Sequence, residues 1–218
     1  MPTLTAAYTI DKAEIILQDT TNIRWPEGEL LGWFNDGQRE IVMLRPDAYA
    51  QRVAHPLVNG TRQQIPNAGY QLIKVVRNMG ADGLTPGRVV RKVPEEQLDA
   101  GTPDWHASAA NAVTLHYTFD IREPKAFYVY PPAIAPNTVE LIYSSAPTPL
   151  AAKTDVQLLD DVYANSLLDY VLYRAYSKDA ESTANAQRAI AHRAAFDQSL
   201  GLKAQADTGS VAADEVRG

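Results

Sequence analysis

The 218-residue sequence contains no cysteine, which excludes disulfides, thiolate nucleophiles and thiolate metal sites together. Packing and hydrogen bonding alone must hold the fold. Histidine is scarce, and His55, His106, His116 and His192 include no pair at the His-x-x-x-His spacing that places two imidazoles on one helix face. A zinc site is not expected. No apolar run approaches the roughly 18 residues of a membrane span, and residues 1–10 carry no basic region followed by an apolar one. Neither secretion nor membrane insertion is expected. Positive charge is also in short supply: 20 Lys and Arg stand against 26 Asp and Glu, for a net charge of −6. That balance argues against a protein whose main work is gripping phosphate backbones, though not against one that DNA slides past.

Catalytic signatures are missing as well. The only glycine-dense stretch, Gly80, Gly83 and Gly87, has no Lys-Ser/Thr after it and does not lead from strand into helix, so it reads as a loop rather than a phosphate cradle. Pro86-Gly87 fits a type II turn. No Gly-x-Ser-x-Gly elbow is present, and Asp160-Asp161 and Asp179 with Glu181 are more in keeping with solvated faces than with acid–base pairs. The aromatic run Phe127, Tyr128, Tyr130 could stack bases but lacks interleaved Arg and Lys, which favours packing. No cofactor is implied.

With 45% hydrophobic residues the chain can bury a real core. Its strongest pattern is C-terminal. Leu158, Leu159, Val162, Tyr163, Leu167, Leu168, Val171, Leu172 and Tyr176 recur at helical spacing, predicting a helix over 155–177, with Thr154 and Gln157 as a capping box. A second helix over 180–200 returns antiparallel and offers Ala184, Ala189, Ile190, Ala194, Phe196 and Leu200, too small a set to cover the first. Tyr170 and Tyr173 lie off the main stripe and are candidates for a protein interface. Near the N-terminus, a short helix is expected over 11–17 with Asp11 as its cap. A longer helix over 27–44 is expected to open at Pro26, with Glu27 and Glu29 beside its positive end, and to stop before Pro46.

Between about 49 and 149 the period shortens to that of strands. Asn59-Gly60 predicts a hairpin joining 50–58 to 61–65, and 71–77 is expected to pair with 88–93 as a second one. Runs 114–120, 126–130 and 138–144 predict an antiparallel meander, with Pro131-Pro132 ending its middle strand. The order helix, helix, strands, helix, helix gives an α+β class: a bundle formed by both chain ends with an inserted antiparallel β-rich region. One domain is expected over 1–202, followed by a flexible tail over 203–218 whose composition leaves almost nothing to bury.

Trp33-Phe34-Asn35-Asp36-Gly37-Gln38-Arg39-Glu40, Gly60-Thr61-Arg62-Gln63-Gln64-Ile65-Pro66, Phe127-Tyr128-Val129-Tyr130-Pro131-Pro132 and the stretch from Asp169 to Glu181 follow one another along the chain. Taken in that order they resemble the tailed-bacteriophage head-to-tail adaptor proteins, over most of 15–200. The resemblance implies a non-enzymatic structural subunit of the virion, made in the host cytoplasm. It implies a ring, most often a dodecamer, that binds beneath the portal protein, meets a downstream tail or nozzle protein, and passes double-stranded DNA as cargo. Candidate subunit or portal contacts are then Tyr170, Tyr173, Arg174, Lys203 and Arg217, and the tail from Lys203 is expected to dock into the portal. The face toward the ring axis is expected to lack a basic belt, which would hold the duplex. The alternatives are a tail-tube or tail-completion ring component and, less favoured, a hydrolase with its site at the 80–87 loop and Asp104-Trp105-His106.

Overall fold

The computed structural model describes residues 2–179 and 181–215, the stretch 202–215 by its backbone alone. In chain order the elements are helices α1 (Ala6–Leu17) and α2 (Glu27–Leu44), strands β1 (Ala50–Pro56), β2 (Gly60–Gln64), β3 (Gly69–Met79), β4 (Pro86–Val89) and β5 (Arg91–Lys92), helix α3 (Glu95–Gly101), strands β6 (His116–Thr118), β7 (Ala126–Ala133) and β8 (Thr138–Ser145), and helices α4 (Ala164–Lys178) and α5 (Thr183–Glu215). The class is α+β, as expected. Two compact units form, a helical one from Met1–Ala48 with Pro147–Gly218 and a β-rich one from Tyr49–Ala146.

In the helical unit, α2 has the expected bounds because its signals are local: Pro26 occupies the N-cap, Glu27 and Glu29 the first turn, and Arg45 the C-cap just before Pro46. Its buried side, Leu30, Phe34 and Ile41, meets Ile10 and Ala13 of α1 and Leu167, Val171 and Leu172 of α4 in one core. The stretch from Asn35 to Glu40 clamps the C-terminal half of the chain. Asn35 donates to the Leu150 carbonyl (3.1 Å) and accepts from the Leu150 amide (2.9 Å). Gln38, fully buried, accepts from the Leu158 amide at 2.9 Å, and Glu40 accepts from Arg193 at 2.6 Å. Between them Gly37 lets α2 approach the rings and methyls of α4.

Two helix starts differ from expectation for a shared reason. α1 begins at Ala6 rather than Asp11, and α4 at Ala164 rather than residue 155. The first amides of α1 find carbonyls at and just before the expected start of the later helix: Ala6 donates to Asp155 (3.0 Å) and Ala7 to Lys153 (2.7 Å), while the Gln157 amide donates to Leu4 (3.0 Å). Residues 150–160 therefore form a strap whose backbone serves α1, and the Thr154/Gln157 capping box does not form; the orphan amides of one helix override the propensity of another. Asp160 caps the single 3-10 turn that precedes α4. Ala189, Phe196 and Leu200 of α5 are buried, whereas Ala184, Ile190 and Ala194 face outward. Residue 180 lies outside the described residues. The backbone of α5 stays helical to Glu215, past Leu200, in keeping with the helix propensity of Ala, Gln and Lys.

The strap is fastened by Asp161, which accepts from the Thr3 hydroxyl (2.5 Å), the Thr3 amide (2.9 Å) and the Leu4 amide (3.1 Å). These bonds, the hydroxyl's foremost, hold its carboxyl at about 2 instead of 3.8. A folded pKa below the unfolded one means that the contribution is present in full above about pH 4 and is lost as the pH falls toward about 2. The Leu4 amide resonance is expected to titrate in that window, and Asp161→Asn to abolish the transition; an unchanged titration in the variant would contradict the assignment.

In the β-rich unit the sheets run in the orders β1-β8-β3-β4 and β2-β7-β6-β5. Leu72, Val75, Val139, Leu141 and Tyr143 of the first share one core with Ile65, Tyr117, Phe127 and Val129 of the second, a sandwich. The expected hairpin at Asn59-Gly60 is absent: β1 pairs with β8 and β2 with β7. The chain instead changes sheets there, with Gly60 at φ 106 and the buried Gln63 side chain bonded to Val58 and Gly60. The meander is likewise divided, β6 pairing with β7 while β8 joins the other sheet. Pro131 and Pro132 do not end β7, since the Asn111 amide donates to the Pro132 carbonyl and the ladder asks no amide of either proline. β3 pairs with β4, as expected for 71–77 and 88–93 in part, through Arg77 opposite Val89. Pro86-Gly87 begins β4 instead of making a turn; the turn is at 80–85, with Gly83 at φ 68. Gly87 passes so close to Asn78 that a Cβ would sit 3.0 Å from its carbonyl oxygen.

Candidate interaction surfaces

Tyr170, expected off the core, is only 4% exposed. Its ring packs against Gly37 and lies 5.2 Å from that of Phe196. α4 is covered by α2 on one side and α5 on another, so its buried arc is wider than one stripe. Tyr173 and Arg174 are half-buried. Arg174 donates to the Tyr170 hydroxyl at 3.2 Å and stands 3.9 Å from Asp36. Lys203 lies in α5, where only the backbone is described, and Arg217 lies outside the described residues.

Tyr173 begins an apolar groove of about 470 Å³ between α4 and α5, lined also by Ser177, Ala186, Ile190, Ala194 and Asp197. Ile190 is 71% exposed there. Arg193 is fixed at its edge by Glu40 (2.6 Å) and Asp197 (3.0 Å), with its guanidinium over Tyr173. Charge rims an apolar floor, the arrangement common at protein interfaces. Deeper in the hairpin, His192 and Asp169 are 2.9 Å apart and His192 stacks on Tyr176.

The second surface is the outer side of the β2-β7-β6-β5 sheet. The hydrolase alternative asked for a carboxylate converging on His106. The groups that meet His106 are the Thr61 hydroxyl, 2.9 Å from Nδ1, the stacked indole of Trp105 and the edge of Tyr128. Asp99 accepts from the Trp105 indole instead. Register supplies what the linear aromatic run lacked: Arg62 lies opposite Tyr128, and Arg91 is beside His116, which lies opposite Tyr130. Burial, then the positive charges of Arg91 and Arg88, lower the pKa of His116. Arg62 is far in sequence from Arg88 and Arg91, and all three from Tyr128 and Tyr130, so only strand pairing could have brought them together. Among the described residues no group of three or more His, Asp or Glu could hold a metal, and no helix is long and apolar enough to cross a membrane.

A sequence model of the SU10 adaptor protein family matches residues 4–217. The chain belongs to that family. No curated protein matches the sequence. The family is consistent with the phage head-to-tail adaptors that the order of motifs resembled, and membership makes the adaptor a structural component of the virion. The motif from Trp33 to Glu40, read first as a likeness, is in this adaptor the clamp on its own C-terminal half. The adaptor's charge is also divided between its units. The helical unit holds eleven Lys and Arg against eighteen Asp and Glu, the β-rich unit nine against eight.

Proposed function

We propose that the adaptor forms a ring, most often of twelve subunits, beneath the portal protein, joins the capsid to a downstream tail or nozzle protein, and continues the channel through which DNA passes. The observation that carries this reading is the family match over nearly the whole chain. The α4–α5 groove supports it, since an exposed isoleucine on an apolar floor suits burial by a neighbouring protein. Tyr173 and Arg174 at this face, with Lys203 and Arg217 further along, are the proposed subunit or portal contacts. Tyr170 supports the same face from beneath.

The test is the native mass of the adaptor alone and after mixing with the portal protein of the same genome. A discrete ring-sized complex with the portal is the expected result. Ile190→Asp, an exposed change that leaves the core alone, is expected to weaken that complex by about tenfold or more, and deletion of residues 203–218 to weaken portal attachment without loss of fold. A ring formed without any affinity for the portal would favour a tail-tube or tail-completion component. A persistent monomer in both samples would overturn the ring reading.

A further inference from the structure

We propose that the outer face of the β2-β7-β6-β5 sheet is a contact surface for the phosphate backbone of duplex DNA. Two rows of cross-strand neighbours build it. Arg62 and Tyr128 are in register across β2 and β7, with the buried Thr118 next on β6; two residues along, Tyr130, His116 and Arg91 are in register across β7, β6 and β5. Partners in register share a face, and neighbouring strands are about 4.8 Å apart, so guanidinium, phenol and imidazole alternate over adjoining strands. Arg88, on β4 of the other sheet, acts on His116 through its charge, and the rings of His106 and Tyr128 stand nearly perpendicular with centroids 5.7 Å apart.

The cations are available. Arg62, Arg88 and Arg91 are exposed. Arg62 has Glu123 at 3.8 Å, both side chains 58% exposed, a pairing weak enough to yield to a phosphate. Among the described residues no carboxylate stands within ion-pair distance of Arg88 or Arg91. All three strong cations are arginines, whose planar forks match phosphate oxygens, and the tyrosine hydroxyls can donate to the same groups.

The rings decide between a backbone and splayed bases. Tyr130 is stacked with His116 at 6.2 Å, and Tyr128 stands nearly perpendicular to Trp105 and His106. Both tyrosines are thus already paired with neighbouring rings, and the exposed groups of this face are the arginines, which favours phosphate contact, for which a duplex suffices. The β-rich unit is close to neutral, nine Lys and Arg against eight Asp and Glu, so the acidic excess of the chain lies in the helical unit. Three arginines make a cluster of contacts that salt can release, not a continuous belt. The inference rests on the proposed function only in that duplex DNA is the polyanion this adaptor meets.

The test is fluorescence anisotropy of a labelled short duplex titrated with the full-length adaptor in the absence of portal protein. Three phosphate contacts should weaken binding roughly 40-fold between about 50 mM and about 200 mM salt. Arg88→Gln/Arg91→Gln should lower affinity about tenfold at the lower salt and reduce the salt slope by about 2. Arg52→Gln/Arg122→Gln removes the same charge from other exposed positions of this unit and should change affinity less than about twofold; circular dichroism confirms that both doubles are folded. No duplex binding at about 50 mM salt, or equal losses in the two doubles, would overturn the proposal. Displacement of the duplex by polyglutamate as readily as by unlabelled DNA would also overturn it and identify an acidic protein surface as the ligand. With no portal in the sample, failure here leaves the ring reading standing, and failure to bind portal leaves this one standing.

Discussion

Replacing Gly37 by leucine is expected to destabilise the helical unit by about 3 kcal/mol or more. A Cβ at that position would stand 2.9 Å from Cδ1 of Tyr170 and 3.2 Å from both its Cγ and the Leu167 Cδ2. Tyr170 has nowhere to retreat: Phe196 and Tyr173 flank its ring, with centroids at 5.2 and 5.9 Å, and its hydroxyl is held by Arg174. Leucine adds three further carbons to a contact already closed at the first. Helix propensity works the other way, since glycine costs about 1 kcal/mol in a helix interior, and the same helix contains the control. Gly32 has nothing within 4 Å of its position for a Cβ, so Gly32→Ala is expected to be neutral or stabilising by up to about 1 kcal/mol. Denaturant unfolding followed by far-ultraviolet circular dichroism measures both. If Gly37→Leu remained within about 1 kcal/mol of the parent, the close passage of α2 against α4 would be wrong.

Trp105→Ala should cost about 3–5 kcal/mol in the β-rich unit. The side chain is fully buried, its indole stacked 3.6 Å from the His106 ring and edge-on to Tyr128 at 6.3 Å. Truncation leaves a large cavity and removes the wedge that holds the segment after α3 against β7. Trp105→Phe retains most of that volume and loses the 2.9 Å hydrogen bond to Asp99, so about 1–2 kcal/mol is expected. The other two tryptophans, Trp25 and Trp33, belong to the helical unit. Amide exchange along β7 therefore gives the cleaner reading: protection at Phe127 and Val129 should fall sharply in the alanine variant and modestly in the phenylalanine one. Unchanged protection in Trp105→Ala would mean that Trp105 does not anchor this sheet.

Those two sites illustrate what local sequence can and cannot disclose. The bounds of α2 were legible because Pro26, Glu27, Glu29 and Pro46 all act within a turn of the helix they delimit. The strap was not: Thr154 and Gln157 have the local pattern of a helix start, but the amides of α1 needed carbonyls, and those came from Lys153 and Asp155. Asn59-Gly60 supplied a turn signal, yet Val53 pairs with Leu141 and Gln63 with Phe127, choices made by cores distant in sequence. Tyr170 was misplaced because periodicity gives one stripe, while a helix with two neighbours buries a second. Among the surfaces, the helix pair and the family likeness could be read from motif order. The purpose of Asn35, Gly37 and Gln38, and the meeting of Arg62, Tyr128, His116 and Arg91, depended on pairings that no linear pattern records.

Because the helical unit is built from residues 1–48 and 147–218, it cannot be completed until its second segment has been made. Phe34 and Ile41 emerge from the ribosome early, but Leu167, Val171 and Phe196, which complete their core, follow more than a hundred residues later. At bacterial synthesis rates of about 5–20 residues per second, that delay is roughly 10–30 seconds. During it the intervening β-rich unit has its whole sequence available and can fold first, while α1 and α2 wait with their apolar sides uncovered. Newborn chains are thus most exposed to chaperone capture, and to premature contact with one another on a crowded polysome, in the interval before Asn35 can close on Leu150.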